Sequence, residues 1–260
     1  NVRGLGLMLF PPFGPYQGTP VFEVQLRSND AGDILHFKYY DASTHIIFDV
    51  NETLLDLSLM ERAMNNAFGN EAAFQIWFHK LLMYSFAETI QETYNDFGAI
   101  GKAVLKMVEA HFNVHISEAE TKTILNHILN LKPHADVVEA LQVLKTKGFI
   151  LVALTNGSKD ALEQQIENVE LSAYFNALFS VSAVKVYKPH ANTYKYVLDS
   201  LNVSAEQAML VAAHGWDIIG AQQAGLQTAF IEREKKSIYP LGKKPTLSCR
   251  SLKELVKQLS

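Results

Sequence analysis

From residue 45 onward the chain alternates short unbroken apolar runs with longer stretches in which apolar residues recur three or four positions apart. His45-Ile46-Ile47-Phe48-Asp49 and residues 149–154 are of the first kind, the mark of strands buried on both faces of a parallel sheet. Residues 178–181, 208–212 and 228–231 read the same way, the last closing the series. Between them the spacing predicts helices over 135–146, after Ser158, over 191–201 and over 218–224, with Gly148 as the stop of the first. Strands and helices alternating at this interval predict an α/β fold with a Rossmann-like parallel sheet.

One stretch breaks the alternation. Residues 58–130 carry only helical signals. Leu59, Met60, Ala63, Met64 and Ala67 share a face, as do Ala73, Ile76, Trp77, Lys80, Leu81 and Tyr84, and further on Ile100, Val104, Met107 and Val108. The period ends at Lys132-Pro133-His134. This is too long for a crossover and reads as an inserted helical domain, 58–131, in an α/β core made of 45–57 and 132–248, with a C-terminal helix at 249–260. Residues 1–44 differ. Glycine and proline crowd the first twenty, and 21–26, 28–32 and 34–40 can be read as strand, turn and strand or as an extension apart from the core. No positive segment precedes an apolar one there, so no secretory leader is expected. The missing initial methionine fits a fragment or a processed product.

Composition narrows the function classes. With 48% hydrophobic and 19% charged residues the chain can bury a core and is not disordered by composition. No run approaches the roughly 18 apolar residues of a membrane span. Lys+Arg 23 against Asp+Glu 27 leaves a net charge of -4 with no basic block, so nucleic acid is not an expected partner. The single cysteine, Cys249, can form no internal disulfide and no thiolate zinc cluster, and a cytoplasmic home is expected.

Ligands of open α/β sheets bind beyond the carboxyl ends of the strands. Asp49, Thr155, Lys188 and Asp217 stand at or near such ends, giving two carboxylates, a hydroxyl and an ammonium suited to nucleophilic chemistry. Phe48-Asp49-Val50-Asn51-Glu52-Thr53-Leu54-Leu55-Asp56, Leu154-Thr155-Asn156-Gly157, Lys188-Pro189 and the segment from Val211 to Ala221 resemble, in order, the four motifs of the haloacid dehalogenase superfamily. Tyr187-Lys188-Pro189, Tyr194 six residues after the lysine, and Trp216-Asp217 are most similar to the type II 2-haloacid dehalogenases. The resemblance implies that Asp49 is a covalent nucleophile, Lys188 its charged partner, Thr155 and Asn156 an anion seat, and Asp217 the carboxylate beside Lys188 and the hydrolytic water. Thr53 and Tyr194 belong to the same implied site, and the helical insertion becomes a cap over it.

Departures from the family pattern shape the expected reaction. Superfamily phosphatases place a second Asp where this chain has Asn51, and an acidic residue where it has Ala213. Both losses weaken a magnesium-dependent phosphatase, whereas carbon–halogen cleavage needs neither group. Type II enzymes place a halide-binding Arg where Phe78 stands, and Ser and Asn where Ala212 and His214 stand. His79, Lys80 and His214 are candidates to take over anion binding. The expected function is therefore hydrolysis of a small 2-halo carboxylic acid through a covalent ester, without metal or other cofactor. The alternatives are a magnesium-dependent phosphatase of a small metabolite and a catalytically silent ligand-binding relative. A homodimer is a family-level expectation.

Overall fold

A computed structural model describes residues 6–9, 21–24 and 44–259, and the chain divides into two compact units, Asn1–Tyr40 and Asp41–Ser260. In the first, β1 (Gly6–Leu9) pairs antiparallel with β2 (Val21–Val24), Leu7 opposite Glu23. A strand was expected at 21–26, but its partner is Gly6–Leu9 within the glycine- and proline-rich stretch; the partner expected at 34–40 lies outside the described residues. Four residues are too few to show a period between such breakers.

The second unit begins with β3 (His45–Asp49) and the two-residue β4 (Leu55–Asp56). Four helices follow: α1 (Ser58–Phe68), α2 (Ala73–Ile90), α3 (Phe97–Phe112) and α4 (Glu118–Asn126). The chain then returns through β5 (Lys132–Pro133), which pairs antiparallel with β4, so the helical segment leaves and rejoins the sheet at neighbouring points. Local chemistry sets its boundaries. Asp96 caps α3 by accepting from the Gly98 amide, and Ser117 and Glu120 form a reciprocal capping box at α4. The buried face of α1 is Met60, Met64 and Phe68; Leu59, assigned to that face from spacing, is 37% exposed, as is Met107 of α3 at 38%.

Alternation then resumes: α5 (Val137–Thr146), β6 (Ile150–Thr155), α6 (Lys159–Asn168), β7 (Ala177–Ser180), α7 (Ala191–Leu201), β8 (Ala208–Ala212), α8 (Gly215–Gln223) and β9 (Gln227–Ile231). Gly148 follows α5 at φ +88°, a conformation that costs a residue with a Cβ. Two elements close the chain, β10 (Leu247–Cys249) and α9 (Leu252–Gln258). Here the expected C-terminal helix from 249 is corrected: Cys249 ends a sixth strand paired with β9, and the helix starts after Ser251, whose side chain caps it. A three-residue edge strand has no periodicity of its own; pairing to β9 creates it.

The sheet order is β10-β9-β8-β3-β6-β7, with every neighbouring pair parallel. This is the Rossmann-like α/β architecture expected. β3 lies at the centre with Ile46, Ile47 and Phe48 fully buried, and strand order reverses between β3 and β8. That reversal opens a crevice at the carboxyl ends.

Candidate active site

Asp49, the last residue of β3, sits at this crevice and is only 6% exposed. Its Oδ1 accepts from the Lys188 ammonium at 2.7 Å. Its Oδ2 accepts from the Thr53 hydroxyl at 2.6 Å and lies 3.0 Å from His214 Nδ1. The Thr53 oxygen itself accepts the Ala213 amide at 2.9 Å, which leaves its proton aimed at Asp49. Lys188 also donates to Asp217 Oδ2 at 2.8 Å and to the Leu154 carbonyl at 3.2 Å, so all three ammonium protons have acceptors. Asp217, in the first turn of α8, accepts the Tyr194 hydroxyl on its other oxygen.

The loop after β3 is tied down from two sides. Arg233, just past β9, donates to the Thr53 carbonyl through Nε (3.1 Å) and Nη2 (2.9 Å). The same guanidinium forms a bidentate pair with Asp136. Thr53 is thereby fixed by its backbone as well as its hydroxyl.

Electrostatics follow from this packing. Burial disfavours the charged form of Asp49, but the Lys188 ammonium and the His214 hydrogen bond overcome it and hold its carboxyl well below the usual range. Burial likewise works against Lys188, yet Asp217 and Asp49 together keep it above its ordinary value. For His214, burial is outweighed by hydrogen bonds to Asp49 and Glu52, and the imidazole is pushed up to about 9. Asp49 is thus an ionised carboxylate in a site largely closed to water, the state a nucleophile needs.

The other expected residues are spread around this cluster. Tyr194 is fully buried behind Asp217 and holds it. Asn156 accepts the Lys188 amide at 3.0 Å and Thr155 Oγ1 accepts the Gly157 amide at 3.1 Å, so both shape the turn between β6 and α6, alongside Asp49. Asn51 is turned away from Asp49: its Oδ1 accepts from Gln165 of α6 at 3.0 Å. Together with Phe78, Met60, Leu81 and Gly157, Asn51 lines a mostly apolar cavity of about 130 Å³ between the sheet ends and the helical segment. The Phe78 ring also lies 6.5 Å from that of His214. Trp77 lines the same cavity and donates to the Gly101 carbonyl at 2.8 Å, while His79 is exposed on α2.

Two participants were missed from sequence. Glu52, at φ +64°, turns its carboxylate onto His214 Nε2 at 2.8 Å, and Lys236 contacts its other oxygen. The Lys236 ammonium lies 5.8 Å from the centre of the Phe78 ring. Glu52 entered the sequence reading only as one letter of the motif that begins at Phe48, and Lys236 lies in a charged run, Arg233-Glu234-Lys235-Lys236, that looks solvated. Nothing in one dimension marks their meeting across 184 positions' worth of fold rather than solvent, since side-chain direction decides it.

Comparison with known proteins shows the family and the fold. Residues 46–231 match the family described as haloacid dehalogenase-like hydrolase. The (S)-2-haloacid dehalogenase H-109 of Pseudomonas putida is 27% identical over 212 residues, covering 81% of this chain and 95% of that protein. The haloacetate dehalogenase H-2 of Moraxella sp. (strain B) is 27% identical over 203 residues, 77% of this chain and 90% of that one. Among solved structures, the L-2-haloacid dehalogenase of Xanthobacter autotrophicus with chloropropionic acid covalently bound shares the fold at a TM-score of 0.77 and 22% identity, over 83% of this chain and 98% of that one.

Proposed function

This chain belongs to the haloacid dehalogenase-like hydrolase family, and we propose that it hydrolyses small 2-halo carboxylic acids through an ester formed on Asp49. The observation that carries the reading is the state of Asp49: a buried carboxylate held ionised by Lys188 at the end of the central strand. The names of the relatives point to the same substrate class. One carboxylate oxygen attacks the halogen-bearing carbon, and the halide leaves with the bonding electron pair. Water then cleaves the ester to release a 2-hydroxy acid.

The remaining residues take supporting parts in this reading. Lys188 orients Asp49 and tethers Asp217, which Tyr194 holds from behind. The turn at Thr155 and Asn156, leading into the N-terminus of α6, is the seat for the substrate carboxylate. Helices α1 to α4 act as the cap, and Phe78 presents an apolar surface to the substrate. A magnesium ion does not fit this donor set. Both oxygens of Asp49 already face cationic or hydroxyl donors, both oxygens of Asp217 are taken by Lys188 and Tyr194, and neither Asn51 nor Ala213 carries a carboxylate. Among the described residues no group of three or more His, Cys, Asp or Glu is placed to hold a metal ion.

The test is halide release from racemic 2-chloropropionate by the purified protein in EDTA, with Asp49→Asn as control. Release by the parent and none by the variant is expected. Turnover that survives in Asp49→Asn, or that requires added magnesium, would refute the reading.

A further inference from the structure

Oδ1 and Oδ2 of Asp49 are not equivalent. Oδ1 faces one donor, Lys188, while Oδ2 faces two on a single oxygen, the Thr53 hydroxyl and His214 Nδ1. We propose that His214, pinned between Asp49 and Glu52, is a catalytic residue of the second half-reaction: with Thr53 it forms the oxyanion seat in which the Asp49 ester is hydrolysed. This rests on the ester reading above and assigns to its two oxygens separate tasks.

The chemistry follows the donors. Oδ1 attacks the α-carbon, and the carbon–halogen pair departs as halide. Oδ2 thereby becomes the ester carbonyl oxygen, already in its seat. Water adds to Cγ, its proton passes to Asp217, and the carbonyl π pair moves onto Oδ2. When that pair returns, the Cγ–Oδ1 bond breaks and the hydroxy-acid oxygen takes the proton from Asp217. The carboxyl now holding the water oxygen releases its remaining proton and restores the Asp49 carboxylate. Negative charge develops on Oδ2 alone in the hydrolytic step, where preorganised donors have most effect.

His214 is built to bring a positive charge there. Carboxylate oxygens only accept hydrogen bonds, and both ring nitrogens face carboxylates, so both carry protons. The ring stacks on Trp216, with centroids 5.1 Å apart, has the Phe78 ring 6.5 Å away, and is buried from solvent. The charged groups around it are Asp49 at the end of β3, Glu52 in the next loop, Asp217 on α8, Lys188 before α7 and Lys236 after β9. When Asp49 is alkylated its charge disappears, and Glu52, itself paired with Lys236, remains to keep the ring protonated.

The experiment separates the half-reactions by rapid quench with 2-chloropropionate, following halide release and, by mass spectrometry, the ester on the Asp49 peptide. His214→Ala and His214→Leu, which leave no donor at this position, should keep the halide burst within a few-fold, accumulate ester, and lose roughly 10²–10³ in steady-state turnover. Ester hydrolysis in the parent should decline at alkaline pH, at or below about 9 where the resting imidazole loses its proton, and the two variants should lack that decline. Glu52→Gln, which leaves the ring in place, should move the decline to lower pH. The proposal is overturned if burst and hydrolysis fall together in the His214 variants, if hydrolysis is undiminished in them, or if the Glu52→Gln decline stays at the parental pH. A parent protein that releases halide on turnover without ever forming the ester would overturn the ester reading itself and this proposal with it; the His214 variants alone leave that reading standing.

Discussion

Lys188→Met removes the charge that joins the two carboxylates of the site while nearly preserving side-chain volume. Lys188 is 1% exposed, and its ammonium stands 2.7 Å from Asp49 and 2.8 Å from Asp217. Without it, two buried carboxylates on the order of 5 Å apart repel by roughly 3 kcal/mol at an effective dielectric of about 20. Removing one partner of a buried ion pair generally costs about 3–5 kcal/mol, so the same range is expected here at pH 8. The deficit should depend on pH. In the variant one carboxyl is raised above its unfolded value, so its native form gains a proton and stability as pH falls through the raised pKa. In the parent the Asp49 carboxyl is depressed and keeps its contribution until pH falls below the ordinary value of 3.8, while Asp217, which burial raises, is held back by the Lys188 ammonium that the variant lacks. The gap between the two proteins should therefore narrow from pH 8 to pH 5. Urea denaturation followed by circular dichroism at both pH values measures it. Equal stability at pH 8, or a gap that does not change with pH, would refute the assignment of Lys188 as the neutralising charge.

Thr53→Val should cost about 1–3 kcal/mol in the same assay, because it strands the buried Ala213 amide, and should lower turnover at least tenfold by removing a donor from Asp49. Gly220→Ala is expected to destabilise by about 1–3 kcal/mol or more, read as a fall in Tm, because a Cβ there would lie 2.4 Å from Pro189 Cβ and 2.8 Å from the Pro189 carbonyl oxygen. Cys249 is fully buried, and burial pushes its thiol up to about 11, so a thiol reagent at pH 8 should label it only after urea is added.

The core strands were legible because burial on both faces writes a continuous apolar run into the sequence. β3 and β8 fall where the hydrophobic pattern places them, and α7 begins and ends as its spacing predicts. Asp49, Lys188 and Asp217 were legible for a related reason: a strand end or the turn near it places a polar side chain at the crevice regardless of what the rest of the chain does. β1 and β10 were not, since strands of four and three residues depend on the neighbour they pair with. The helical faces were legible to within one position, and Leu59 shows the limit, because packing and not period decides which side of a borderline residue is covered.

By itself, then, the sequence determined the alternation of strands and helices, the long helical insertion and the residues that stand at the strand ends. Those features rest on local periodicity and chain order, which a linear pattern records. Only the tertiary structure decided which oxygen of Asp49 meets which donor, that Glu52 and Lys236 join His214, and that Phe78 lies near His214 beside the apolar cavity. Such contacts bring together side chains from separate loops and helices, and their directions are set by packing, for which no spacing along the chain is a guide.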